Sequence, residues 1–66
     1  MLKKRSCTLS GHRTSVALEA EFWAVIDQAA QGEGKSLAAL VAQIDASRGA
    51  RPLASALRLY ALAAKQ

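Results

Sequence analysis

Sixty-six residues and 7.0 kDa make one small domain. Apolar residues are 52% of the chain, but fifteen of them are alanine, which leaves nineteen larger apolar side chains to fill a core. The formal net charge is +4, the only cysteine is Cys7, and no apolar run approaches 18 residues, so a disulfide scaffold and a membrane span are both excluded. A chain this short buries only about 60% of its unfolded surface, and with no Cys/His cluster for a structural zinc the remaining source of stability is a partner chain. A dimer is therefore expected. The basic N-terminus is followed by no apolar segment of the kind a signal peptide needs, so the reading is of a reduced, cytoplasmic protein.

The charge is concentrated at the start of the chain. Lys3, Lys4, Arg5 and Arg13 fall within the first thirteen residues, which hold no acid. From Thr14 onward five basic residues balance five acids, so the N-terminal segment carries the whole excess. Nucleic-acid phosphate is the partner such a segment suits, and a solvated tail is the plainer alternative. Cys7 and Leu9 are too few and too separated to anchor it on a membrane.

Residues 1–11 read as a basic arm. Within it Ser6–Ser10 alternates, with Cys7 and Leu9 as the apolar set, and can be either a strand or a mobile segment. From Arg13 to Leu18 the alternation is clearer: Thr14, Val16 and Leu18 point one way and Arg13, Ser15 and Ala17 the other, the pattern of a half-buried strand. The two apolar sets differ in parity, so one unbroken strand would put them on opposite faces. Gly11 lies between them, where a bulge, bend or turn is expected.

The period then changes. Phe22, Val25, Ile26 and Ala29 form a helical face, with Glu19 and Glu21 in the first turn, where acidic charge suits the helix dipole. Gly32 and Gly34 end this helix, and Ser36 is the expected N-cap of a second. Its face is Leu37, Leu40, Val41 and Ile44, closed by Arg48 and Gly49. A third helix is expected near Pro52, with Leu53, Ala56, Leu57, Tyr60, Ala61 and Ala64 as its stripe, widened by Leu59 and Leu62. So much apolar girth calls for an interface, within a dimer or with another protein. Trp23 is expected to fill the core or an interface.

Reactive side chains are scarce. Cys7 and His12 form a single pair without the second half that a metal site needs, and no third group orients them for nucleophilic catalysis. Asp27 and Asp45 read as solvent-side charges. Gly32 and Gly34 follow a helix, where a phosphate loop would follow a strand. No enzyme and no cofactor are expected.

The segment Arg13-Thr-Ser-Val-Ala-Leu-Glu and the turn Gly34-Lys35-Ser36-Leu37 resemble the strand-to-helix junction and interhelical turn of the ribbon-helix-helix family of DNA-binding proteins, the Arc and MetJ type. This match covers roughly residues 12–48. The runs GHRTSVALEAEFW, SLAALVAQID and LASALRLYAL further resemble short bacterial ribbon-helix-helix proteins with an extra C-terminal helix. The resemblance implies a mostly α chain with one N-terminal β-strand: an arm at 1–11, a ribbon-helix-helix core at 12–49 and a C-terminal helix at 50–66. It implies an intertwined homodimer in which two chains pair their strands into an intermolecular antiparallel ribbon. Thr14, Val16, Leu18, Phe22, Ile26, Leu40, Val41 and Ile44 would then form the dimer core.

On the same resemblance the protein is a transcriptional repressor or other regulator, its ribbon lying in the major groove of double-stranded DNA. Arg13, Ser15 and Ala17 would meet base edges. Lys3, Lys4 and Arg5 would meet phosphate, as would the helix start at Lys35, Ser36 and Leu37. Ala17 departs from the longer polar residue usual there and offers no hydrogen bond. Dimers can stack into tetramers along a site. The alternative is an antitoxin-like or other interaction module whose C-terminal helix binds a protein partner.

Overall fold

The computed structural model of the chain describes residues 1–65, with five elements. Strand β1 (Leu2–Leu9) and strand β2 (His12–Glu19) form an antiparallel pair, followed by helices α1 (Ala20–Gly32), α2 (Leu37–Ser47) and α3 (Leu53–Lys65). Gln66, the last residue of the expected C-terminal segment, lies outside the described residues.

The strand pair is where the chain departs from expectation. Residues 1–11 were expected as an arm, with 6–10 either a strand or a mobile segment, and β2 was expected to find its partner on a second chain. In the structure its partner is β1 of the same chain, in a register that pairs Cys7 with Thr14, Arg5 with Val16 and Lys3 with Leu18. The reason lies in the turn. Ser10 and Gly11 both take positive φ, +51° and +80°, as the two central residues of a type I′ hairpin turn do. A two-residue turn sets odd positions of β1 opposite even positions of β2. The parity mismatch between Cys7/Leu9 and Val16/Leu18 is thereby removed, and all four side chains are buried on one face.

The helices lie against that face. Leu18, Ile26, Leu40, Val41 and Leu57 are fully enclosed, so each element except β1 places a large side chain at the centre. Cys7 and Leu9 extend the core beneath β1. Val16, Leu18, Ile26, Leu40, Val41 and Ile44 occupy the buried positions expected of them, here within one chain. Thr14 and Phe22 are half-buried at the rim, Phe22 packed against the core. Trp23 takes the deeper place on α1, because its indole Nε1 donates to the Lys3 carbonyl of β1 at 2.8 Å. The buried face of α1 is accordingly Trp23, Ile26 and Ala30, flanked by Phe22, Val25 and Ala29.

Helix ends follow local chemistry. At the end of α1 the Gly34 N–H donates to the Gln31 carbonyl and the Lys35 N–H to the Ala30 carbonyl, a Schellman pattern that holds Gly34 at φ +68°. Ser36 Oγ accepts from the Ala39 N–H at 3.1 Å and caps α2. The α3 helix starts just after Pro52, whose carbonyl accepts from the Ala56 N–H. It packs on α1, α2 and β2, contributing Ala56, Leu57 and Ala61 to the core. Leu59 and Leu62 remain exposed. No helix among the described residues is long and apolar enough to cross a membrane.

Candidate nucleic-acid interface

The alternation that buries one face of the hairpin exposes the other. Its outward side chains stand in two facing rows: Lys4, Ser6 and Thr8 from β1, and Ala17, Ser15 and Arg13 from β2. Arg13, Ser15, Lys4, Ser6 and Thr8 are exposed and Ala17 is half-buried. Among the described residues, one side-chain hydrogen bond lies within this face, joining Ser6 Oγ and Ser15 Oγ at 3.2 Å. Leu2 and Glu19 pair at its open end.

Ion pairs sort the charges further. Arg5 shares the parity of the buried set and turns toward α1. Its guanidinium grips Asp27 through two hydrogen bonds, at 2.9 and 3.1 Å, and lies 4.9 Å from the centre of the Trp23 ring. Asp27, expected as a free solvent-side charge, is thus a tie between helix and ribbon. Arg58 of α3 holds Glu19 at 3.0 Å, Arg48 holds Asp45 at 2.6 Å, and Lys35 holds Glu33 at 3.1 Å. Among the described residues Lys3, Lys4 and Arg13 have no acidic partner, and Glu21 is the one acid left without a basic one. The unpaired positive charge of the N-terminal segment therefore sits on the hairpin, and Arg5 does not share in it.

The start of α2 is a separate feature. Ser36 uses its hydroxyl as the cap, Leu37 is half-buried against the core, and Lys35 is engaged by Glu33 and by the side-chain oxygen of Gln43. A contact to an anion here would come from the unpaired N–H groups of the first turn. Two carboxyls are shifted by these ties. Glu19 is held below its ordinary value by a hydrogen bond to its own backbone N–H and by Arg58. Glu33 is held below it by Lys35 and by the Tyr60 hydroxyl, which donates to it at 2.9 Å. Tyr60 itself is raised, mainly by burial and then by that bond.

Sequence reasoning placed Arg13, Ser15 and Ala17 on one face of the strand but did not place Ser6 and Thr8 across from them. The available signal was the alternation of residues 6–10 next to a Ser-Gly pair. No group of three or more His, Cys, Asp or Glu side chains among the described residues is placed to hold a metal ion.

A two-stranded antiparallel ribbon with a basic and hydroxyl-bearing outer face, backed by helices, is the architecture of proteins that read the major groove with strands. The family model for the ribbon-helix-helix domain matches residues 2–64, and the chain belongs to that family. Ribbon-helix-helix domains are generally DNA-binding transcription regulators, typically dimeric and without enzymatic activity. No curated protein and no solved structure matches the chain.

Proposed function

We propose that this protein binds double-stranded DNA through the outward face of its ribbon and acts as a homodimeric transcriptional regulator in the cytoplasm. The observation that carries the reading is the outward row of exposed Arg13 and Ser15 and half-buried Ala17, standing beside unpaired Lys4 on a face with no unpaired carboxylate. Arg13 can bond guanine O6 and N7, Ser15 can serve either base type, and Ala17 can touch a thymine methyl. Lys3 and the first-turn N–H groups at Lys35-Ser36-Leu37 would hold phosphate.

Dimensions are compatible with such an assembly. A major groove about 12 Å wide accepts a two-stranded ribbon. The protein is at most 30 Å across, so two copies can sit one helical repeat apart, about 34–36 Å, without overlapping. Leu59 and Leu62, 46% and 51% exposed one turn apart on α3, supply the apolar contact between copies.

The test is binding to duplexes selected from a random pool, at several salt concentrations. Three to six phosphates neutralised per dimer by Lys3, Lys4 and Arg13 give a log K against log salt slope between about −3 and −5. Arg13→Ala should narrow the gap between preferred and random duplex by about 1–3 kcal/mol. No salt-sensitive binding to any duplex would sink the reading. If sedimentation instead finds a monomer at all concentrations, the Leu59–Leu62 face is open to a different protein, the interaction-module reading.

A further inference from the structure

The outward face has two rows, and the second belongs to β1. Lys4 stands directly across from Ala17, Ser6 from Ser15, and Thr8 from Arg13. Neighbouring strands lie about 4.8 Å apart, so a ribbon seated in a groove presents both rows to the base edges together. The pairing is also complementary in reach. Ala17 offers no hydrogen bond, and the residue across from it is a lysine with no acidic partner among the described residues. Thr8 is the cross-strand partner of Arg13, so one base step can meet both. Arg5, one position away on the same strand, is tied to Asp27 and Trp23 on the inner side, which pins the alternation that turns Lys4, Ser6 and Thr8 outward.

Resting on the duplex-binding reading above, we propose that Lys4, Ser6 and Thr8 of β1 are base-reading residues on a par with Arg13 and Ser15. A ribbon made from two copies of one strand carries identical rows related by a two-fold axis, and the bases under it share that symmetry. The rows here are Lys-Ser-Thr and Arg-Ser-Ala. The base sequence under each ribbon is therefore not a palindrome. In a dimer the two-fold relates one ribbon to the other, not one strand to its neighbour.

The experiment compares duplexes enriched from a random pool by the unaltered protein, by Lys4→Ala, Ser6→Ala and Thr8→Val, and by Arg13→Ala. Thr8→Val keeps the β-branched shape while removing the hydroxyl, and thermal melts establish that each variant is folded. Each β1 variant should relax base preference by about tenfold at one or two positions distinct from those lost in Arg13→Ala. The motif under one ribbon should lack internal symmetry. If folded β1 variants retain the full preference while Arg13→Ala loses it, the duplex reading stands and the role of β1 is overturned. A palindromic motif under one ribbon overturns it as well. Failure of the unaltered protein to enrich any duplex overturns both.

Discussion

Leu18 shows how much one residue carries in a chain this small. It lies at the end of the buried face of the ribbon, fully enclosed, where strand, α1 and α3 converge. Replacing it with alanine leaves a cavity that neighbours can only partly fill. Leu18→Ala should lower unfolding free energy by about 2–5 kcal/mol, read as a reduced urea midpoint at unchanged slope. Arg5 contributes differently. Its ion pair with Asp27 is partly exposed and adds no more than about 1 kcal/mol. Its effect is directional, since it fixes which side of β1 faces α1.

Among elements, the hairpin depends on its turn. A Cβ added at Gly11 would meet nothing within 4 Å, so the cost of a side chain there comes from the backbone angle alone. Gly11→Ala should therefore destabilise by about 1–2 kcal/mol, and Gly11→Asn by less, in the same urea measurement. The helices were legible because their periods are local: Leu37, Leu40, Val41 and Ile44 announce a face in eight residues, and Ser36 caps as its position predicts. β1 was not legible to the same degree. Its apolar residues have the wrong parity for a continuous strand, and the turn that corrects this uses Ser-Gly, a weaker hairpin signal than Asn-Gly. That Trp23 lies deeper than Phe22 on α1 follows from β1 as well, because the indole's partner is a β1 carbonyl.

At the scale of the molecule, two ion pairs and one tyrosine–carboxylate bond among the described residues tie distant segments together. Arg5–Asp27 spans 22 residues and Arg58–Glu19 spans 39, separations at which no local spacing rule gives a hint. Lowered carboxyls at Glu19 and Glu33 have a thermodynamic consequence. The unfolded chain takes up their protons at higher pH than the folded one, so their contribution is present above the ordinary carboxylate value of about 4.3 and is lost as pH falls through the lower folded values. Tyr60 works in the opposite range: raised in the fold, it contributes below pH 10 and loses that contribution as pH rises further. The melting temperature should therefore be level between pH 6 and 8 and fall below about pH 4. Glu19→Gln with Glu33→Gln should flatten the acid limb, and an unchanged limb would assign it to other carboxyls.

The chain has one tryptophan, and it sits at the seam between ribbon and helices. Its ring is covered by Arg5, its nitrogen is bound to the backbone of β1, and 2% of its surface meets solvent. Lifting β1 from α1 would strip away the cation, the carbonyl and the cover at once. The protein thus carries an internal optical gauge of ribbon docking, one that needs no label and reports on the strand whose far side faces outward.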